Sequence, residues 1–190
     1  MGGDPAVPLR GIGGAFYRAI RADRLDAVLA PPGPDSAGRY HRHGQSALYL
    51  TAQADWAIIA IGPYLREDGA PRVVVPVAVD AARVIDQRDT AACERLGIDR
   101  EASNEPWRAS LARGVDPPSW RAADRARAVG ADGIIDRSRG IGGGWHVVLF
   151  RWNTPGAPAV SVSGPPLTID YHAARARWPV PPGRVRPEDR

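Results

Sequence analysis

The sequence predicts a mixed α+β fold, because segments with strand patterns lie on both sides of a central helical region. Strand patterns end at about residue 80, helical patterns occupy residues 89–130, and strand patterns return from residue 132. This order is typical of α+β domains, whereas a regular alternation would indicate parallel βαβ units. The chain has 190 residues, 44% of them apolar, which is enough for one domain with a substantial core.

Each predicted strand rests on a local pattern. Residues 15–20 (AFYRAI) alternate as a half-buried strand does, and residues 71–80 (PRVVVPVAVD) are rich in β-branched side chains. Pro76 in the second segment predicts a sheet edge or a bulge, since proline cannot donate a backbone hydrogen bond. The complete set of predicted strands is residues 15–20, 46–52, 71–80, 132–136, 145–152 and 157–162.

The predicted helices are short and are separated by glycine and proline. One covers residues 54–67 and is disturbed at Gly62–Pro63. Ser119 is the expected N-cap of the last helix before residue 130, and we expect that helix to end at a glycine. The breaks within residues 89–130 are Gly97, Gly114 and Pro117–Pro118.

Composition excludes several classes of protein. No stretch approaches the roughly 20 apolar residues of a membrane-spanning helix, and the N-terminus lacks the pattern of a secretory signal. The only cysteine, Cys93, rules out an internal disulfide framework, fits a reducing, cytoplasmic setting and is expected to be a small buried filler. The formal charge is +4, but the 25 basic residues, all arginine, are scattered among 21 acidic ones, which argues against nucleic-acid binding. Residues 1–175 are expected to form a single domain, and the Arg/Pro-rich residues 176–190 a disordered or loosely docked tail.

A glycine cluster, RGIGGGW at residues 139–145, invites comparison with nucleotide-binding loops. It leads into a predicted strand, whereas the dinucleotide fingerprint leads into a helix whose N-terminus receives the pyrophosphate. The pattern therefore argues against a Rossmann site. It leaves open a simple turn between two strands and a loop whose backbone approaches a ligand closely.

The histidines give weak support for a metal site. His41 and His43 have the i, i+2 spacing of one face of a strand, but no cysteine partner or helical HxxxH motif accompanies them. No motif of a nucleophilic hydrolase is present either. We therefore expect no metal. The four histidines are His41, His43, His146 and His172.

A polar cluster precedes the second predicted strand, in the segment GRYHRHGQSALYL of residues 38–50. Tyr49 lies mid-strand, and Arg18 on the first strand would lie near Tyr49 and Arg39 if the two strands pair. Such a group suits a diphosphate and a flat ring. Spacing alone favours the simpler interpretation, in which Tyr49 belongs to the core and both arginines to the surface.

Four blocks of the sequence carry a resemblance: GRYHRHGQSALYLTAQADWA, PRVVVPVAVDAARVID, PPSWRAADRARAVGADGII and RSRGIGGGWHVVLFRWN. In order and in spacing they resemble the successive blocks of the RES-domain family. The resemblance extends from Phe16 to Asn153, and it implies an ADP-ribosyltransferase-like fold of mixed sheets with peripheral helices. It also implies NAD as substrate, cleaved by hydrolysis or phosphorolysis, and a toxin whose partner is an antitoxin protein that covers the NAD pocket.

The resemblance also assigns residues to the NAD site. Arg18 and Arg39 are expected to clamp the diphosphate, Tyr49 to pack on the nicotinamide or its ribose, and Ser138 to form a hydrogen bond nearby. Tyr17 and His41 flank the arginines, and Gly143 lies at the centre of the glycine turn Gly142–Gly144. The positions expected to bind NAD are thus Tyr17, Arg18, Arg39, His41, Tyr49, Ser138 and Gly143.

One position departs from the family pattern. The catalytic glutamate is expected eleven residues after Tyr49, where this chain has Ala60. A carboxylate there stabilises the oxocarbenium-like species formed when the nicotinamide–ribose bond breaks, so slow turnover is expected. Three explanations stay open: a deliberate replacement that makes a toxin harmless, a natural pseudoenzyme that still binds NAD, or another acid, such as Asp132 or Asp136, reaching the site.

Overall fold

A computed structural model describes residues 8–67 and 70–169 of the chain. Within these ranges the order of strands, helices and strands is the predicted one. The strands are β1 (Arg10–Arg21), β2 (Leu48–Thr51), β3 (Arg72–Asp86), β4 (Gly133–Arg137), β5 (Trp145–Leu149), β6 (Val160–Val162) and β7 (Leu167–Thr168). The helices are α1 (Ala54–Ala60), α2 (Gly62–Glu67), α3 (Thr90–Arg95), α4 (Arg100–Ser103), α5 (Trp107–Ala112) and α6 (Pro118–Ala128), with a 3-10 helix at Ala22–Ala27. The predicted tail, residues 176–190, and His172 lie outside the described ranges.

Strand pairing forms a closed cycle in the order β1–β2–β5–β4–β3–β1, and β6 and β7 add to β3. The β3–β4 pair is parallel because the helical region α3–α6 connects the two strands, and the other pairs are antiparallel. The β1–β2 pairing on which the Arg18 hypothesis depended is present, with Tyr17 opposite Thr51. The sheet is therefore mixed, with the helices at its periphery.

Pro76 lies inside the longest strand and not at a sheet edge. On one side β3 pairs with β1 along most of its length, including Tyr17 opposite Pro76. On the other side β7 pairs with Val73 and Val74 and β6 with Val77–Val79, so Pro76 falls in the gap between them. The proline marks this gap, because no ladder hydrogen bond is needed from its nitrogen there.

Helix α6 begins differently from the prediction. Its N-cap is Pro117 and Pro118 is its first residue, so Ser119 lies within the first turn. Ser119 is 1% exposed, and its hydroxyl donates to the Arg39 carbonyl (2.5 Å) instead of capping the helix. The predicted glycine end is confirmed, because Gly130 has a φ of +73° just beyond the helix.

The sheet separates two apolar clusters, since alternate residues of a strand face opposite sides. One contains Phe16, Leu50 and Val77, and the other joins Ile134 and Val148 to the small residues of α6. Cys93 belongs to the second cluster and is 1% exposed, which confirms its role as a buried filler. Among the residues that the structure describes, no helix is both long and apolar enough to cross a membrane.

Gly133→Ala should destabilise the fold. A Cβ at Gly133 would lie 3.0 Å from Leu149 Cα and would meet the Val148 carbonyl, which the β4–β5 ladder holds in place. Overpacking of this kind costs about 1–3 kcal/mol. Gly142→Ala is the matched control, since nothing lies within 4 Å of its Cβ. Urea unfolding of both variants tests this, and equal stabilities would contradict it.

Candidate functional site

One cleft, of about 650 Å³, collects most of the residues that the sequence analysis singled out. Its walls come from separate parts of the chain: β1, the loop before β2, α1, and the turn between β4 and β5. Its volume is within the range of roughly 300–1,000 Å³ that is usual for small-molecule and cofactor sites. The predicted site residues that line it are Tyr17, Arg18, Arg39, His41, Tyr49, Ala60 and Ser138.

Gly143 does not line the cleft. It is exposed at the turn between β4 and β5, where its φ of +72° favours a residue without a Cβ. Gly140, in the same turn, does line the cleft, and a Cβ there would approach the Ile59 side chain of α1 to 3.2 Å. The glycine turn thus contributes to the wall through Gly140, while Gly143 shapes the turn.

Ser138 begins this turn. Its backbone N–H donates to the Gly144 carbonyl (2.8 Å), which closes the turn, and its Oγ accepts from the Gly140 N–H (3.3 Å). The hydroxyl proton of Ser138 is then available for another acceptor. As expected from the sequence, the turn leads into a strand, so the chain has no helix N-terminus here to receive a phosphate.

Helix α6 fixes the loop that carries Arg39 and His41. Three consecutive carbonyls of the loop each accept a hydrogen bond from a side chain of this helix. The pairs are Trp120 Nε1 with Gly38 (2.7 Å), Ser119 Oγ with Arg39 (2.5 Å) and Arg127 with Tyr40 (3.1 Å). A buried irregular segment needs such partners for its backbone, and these bonds give residues 38–40 a defined position.

Arg39 is committed to the protein itself. Its guanidinium forms a buried ion pair with Asp136 and donates to the Ser103 carbonyl (3.1 Å) and to Asn104 Oδ1 (2.7 Å). Burial raises the pKa of Asp136, and the Arg39 charge opposes that rise. Much of its charge is therefore balanced within the protein, and its Nε is the group left without a partner among the described residues. The role of Arg39 as a diphosphate clamp stays a prediction.

Arg18 is less engaged. Among the described residues its guanidinium donates one hydrogen bond, to the Val28 carbonyl (2.5 Å). Burial lowers its pKa to about 10, so it stays cationic at neutral pH. Arg18 therefore keeps its charge and further N–H donors for a ligand, as its expected role in binding the diphosphate requires.

His41 and Tyr49 form a hydrogen-bonded pair. The His41 Nδ1 and the Tyr49 hydroxyl are 2.8 Å apart, and the same hydroxyl accepts from the Tyr40 backbone N–H (3.1 Å). Burial lowers the pKa of His41 to about 4, with Arg127 contributing, so its imidazole is neutral at physiological pH. The pairing requires Gly38, because a Cβ at that position would lie 2.7 Å from His41 Nδ1 and 2.8 Å from the Tyr49 hydroxyl.

Strand register builds a row that sequence reasoning missed. Tyr17 lies opposite Thr51, Thr51 opposite His146, and His146 opposite Asp136, so four strands place these side chains on one face of the sheet. All four line the cleft. Burial lowers the pKa of His146 to about 4, and Arg39 and Arg139 lower it further. Only the strand pairing, which the sequence does not specify, reveals this row.

The mouth of the cleft adds two aromatic side chains that the sequence analysis did not single out. Tyr64 and Trp107 both line it, and the Arg108 guanidinium lies 4.5 Å from the centre of the Tyr64 ring and 5.5 Å from that of Trp107. Arg139 also lines the cleft and donates to the Glu105 carbonyl (3.1 Å). No sequence motif marks these positions: Tyr64 lies on α2, Trp107 on α5 and Arg139 in the turn between β4 and β5.

Ala60 lines the cleft and is exposed at the end of α1, so a larger side chain has room there. Among the described residues of the lining, the one carboxylate is Asp136, and it is paired with Arg39. Asp132, the other acid that the sequence analysis considered, accepts from the Arg83 N–H and pairs with Arg151 outside the cleft. No cluster of potential metal ligands occurs in residues 8–67 and 70–169.

Comparison with known proteins assigns the chain to a family. The model of the RES domain matches residues 12–172, which is most of the chain. The chain belongs to the RES domain family. The resemblance stated from four sequence blocks is therefore confirmed. No curated protein matches.

A solved structure supports the fold of this RES domain. The crystal structure of the M. tuberculosis MbcT–MbcA toxin–antitoxin complex contains a similar chain, with a TM-score of 0.58 and 15% identity over 88% of this chain and 90% of that chain. At this identity the similarity speaks to the fold, and it confirms the predicted α+β class with a mixed sheet and peripheral helices.

Gly38→Ala should disrupt the His41–Tyr49 pair of the RES domain. The added methyl group overlaps both partners, so the expected loss of stability is about 1–3 kcal/mol. Gly33→Ala, in the same loop but with nothing within 4 Å of its Cβ, serves as the control. Chemical unfolding monitored by tryptophan fluorescence measures the difference. A Gly38 variant as stable as the control would show that the loop can move aside.

His146→Gln should reduce the loss in free energy of unfolding that occurs as the pH falls below 6.5. The folded pKa of about 4 lies below the ordinary 6.5, so the unfolded chain binds the proton more readily and stability falls as the pH drops from 6.5 towards 4. Removing His146 should reduce that fall by about 1–3 kcal/mol. Urea unfolding at half-unit steps of pH measures it, and parallel curves for the variant and the parent would refute the assignment.

Proposed function

We propose that this RES domain is the toxin of a toxin–antitoxin pair and that its cleft binds NAD and cleaves the nicotinamide–ribose bond. The observation that carries the proposal is convergence: residues from β1, β2, α1 and two loops, chosen by resemblance to NAD-degrading proteins, line one cleft of suitable volume. Chance surface positions scattered over the chain do not meet in this way.

The charge balance of the cleft suits an anionic ligand. Among the described lining residues three arginines face one carboxylate, and the histidines His41 and His146 are neutral because their pKa values lie near 4. Guanidinium groups bind phosphate oxygens through paired N–H donors. Arg18 and Arg139, with fewer partners within the protein than Arg39, are the candidates to bind the diphosphate, and Arg39 then acts mainly as an organising group.

The aromatic side chains suit the rest of a dinucleotide. Tyr17 and Tyr49 line the cleft from β1 and β2, while Tyr64 and Trp107 line it from α2 and α5. Flat rings of this kind pack on bases and on the nicotinamide ring. The combination of a cationic wall and rings at separate positions favours NAD over a simple phosphate.

The proposed reaction transfers the ADP-ribosyl group from nicotinamide to water or phosphate. The bond between the ribose carbon and the nicotinamide nitrogen breaks, its electron pair leaves with nicotinamide, and the acceptor oxygen forms the new bond and loses a proton. An oxocarbenium-like species develops in between, and a carboxylate beside it provides stabilisation that the ground state does not need. Ala60 supplies no such charge, so this chain should bind NAD and turn it over slowly.

A second candidate, an NAD-binding pseudoenzyme, is favoured by the state of Asp136. This carboxylate is 4% exposed and forms an ion pair with Arg39, so using it at the reacting carbon would leave the Arg39 charge uncompensated. In this alternative the cleft still binds NAD, but no carboxylate is available to stabilise the charge that develops at the ribose carbon.

A protein antitoxin is the partner we propose. The similar solved chain comes from a toxin–antitoxin complex, and the exposed mouth around Tyr64 and Trp107 offers aromatic and cationic groups that a partner can cover. Covering the mouth would prevent NAD from entering.

Ala60→Glu should restore NAD cleavage. Residue 60 is exposed in the cleft, so glutamate fits, and its charge should accelerate nicotinamide release by about a hundredfold or more. Ala60→Gln is the control, because it has the same shape without the charge. The parent and both variants should bind NAD in calorimetric titrations. Expression of the glutamate variant in a bacterial host should arrest growth.

The outcomes separate the two candidates. Rapid nicotinamide release from the glutamate variant alone supports the enzyme, and binding without release from either variant supports the pseudoenzyme. Rapid release from the unchanged chain would show that another group performs the role assigned to residue 60. No binding of NAD to any variant would refute both.

A further inference from the structure

The His41 side chain carries a buried nitrogen without a protein partner. The residue is 4% exposed and lines the cleft. Its Nδ1 contacts the Tyr49 hydroxyl, whereas its Nε2 has no hydrogen-bond partner among the described residues. Buried polar groups are almost always satisfied, so an unsatisfied one beside a cleft points to a group that arrives with a ligand.

The hydrogen-bond pattern decides which atom carries the proton. The Tyr49 hydroxyl oxygen already accepts a hydrogen bond from the Tyr40 N–H. The acceptor available for the hydroxyl proton of Tyr49 is His41 Nδ1. Donation from Tyr49 to Nδ1 satisfies both groups, while the reverse arrangement leaves the Tyr49 proton without an acceptor. The imidazole is neutral, so its single proton is then on Nε2.

The ring has little freedom to find another acceptor. Gly38 closes over it, and the His41 carbonyl accepts from the Gly38 N–H (3.0 Å). The carbonyls of the three preceding residues are held by α6. A donor fixed in this way is preorganised, because binding does not have to order it.

We propose that the Nε2–H of His41 donates a hydrogen bond to an oxygen atom of the bound dinucleotide, either on the diphosphate or on a ribose. The inference rests on the proposed function, and it deepens it by assigning His41 a specific contact. Tyr49 then has two roles: it contributes to the cleft wall, and it sets the tautomer that makes Nε2 a donor. The site would discriminate against ligands without an acceptor oxygen at this position.

A pair of substitutions separates the two ring nitrogens. In His41→Asn the amide takes approximately the place of Nδ1, so contact with Tyr49 is kept and the Nε2 donor is lost. In His41→Gln the longer amide takes approximately the place of Nε2, so the donor is kept. We expect the asparagine variant to bind NAD about tenfold more weakly and the glutamine variant to lose clearly less. His43→Asn, at an exposed position outside the cleft lining, is the control for a change of the same type.

Calorimetric titration of the full chain with NAD, ADP-ribose and ADP also distinguishes the two sources of oxygen. If the His41→Asn variant loses affinity for all three ligands, the acceptor oxygen lies in the part that they share, the adenosine diphosphate. If the variant loses affinity for NAD and ADP-ribose but not for ADP, the acceptor oxygen lies on the second ribose. Equal affinities of the parent and the asparagine variant for every ligand would overturn the inference while leaving the proposed function intact. Absence of NAD binding by the parent would overturn both.

A measurement on the unchanged chain protects the test against variants that fail to fold. Nitrogen-15 NMR of the histidine rings reports the tautomer of each one. We expect His41 to carry its proton on Nε2 and to shift when NAD is added. A proton on Nδ1, or an Nε2 signal unmoved by saturating NAD, would refute the inference.

Discussion

The cleft depends on one short piece of irregular backbone, residues 38–41, which is buried between α6 and β2. Buried peptide groups need partners, and outside a helix or a ladder these have to come from side chains. Helix α6 provides them through Ser119, Trp120 and Arg127, whose spacing brings three donors to three consecutive carbonyls. The helix thereby determines where Arg39 and His41 stand. The apolar face of α6 packs on the sheet through its alanines, so the core and the site share one element.

Charge in the cleft follows from the same arrangement. The loop brings Arg39 to Asp136 on β4, and the pair is almost completely removed from solvent. Burying two charges costs desolvation energy that their attraction offsets only when further hydrogen bonds are made, as Ser103 and Asn104 provide here. Arg39 is thus a structural centre that links the loop, β4 and α4. With Ala60 on another wall, the described lining of the cleft combines cationic groups with no unpaired carboxylate, and under the proposed function this balance favours binding of NAD over its cleavage.

Sequence patterns predicted the elements well where the cause is local. Strands with alternating or β-branched residues, breaks at glycine and proline, and the helix end at Gly130 all appear as expected. The prediction that Ser119 caps α6 was wrong. Serine suits an N-cap, but here its hydroxyl donates to the Arg39 carbonyl, which is distant in sequence. Pro76 was expected at a sheet edge or a bulge, whereas it lies in a gap between two short strands that pair with β3. Both differences arise from partners distant in sequence.

The sequence by itself determined the α+β class, the family, and several of the residues that meet in the cleft, since these depend on local propensity and on the order of distinctive blocks. Only the tertiary structure decided what those residues do there. It paired Arg39 with Asp136, matched His41 to Tyr49, aligned Tyr17 with His146 across the sheet, and kept Gly143 out of the lining. The physical reason is that charge pairing, tautomers and cross-strand neighbours are set by contacts between segments, and those contacts exist only once the sheet register and the position of α6 are fixed.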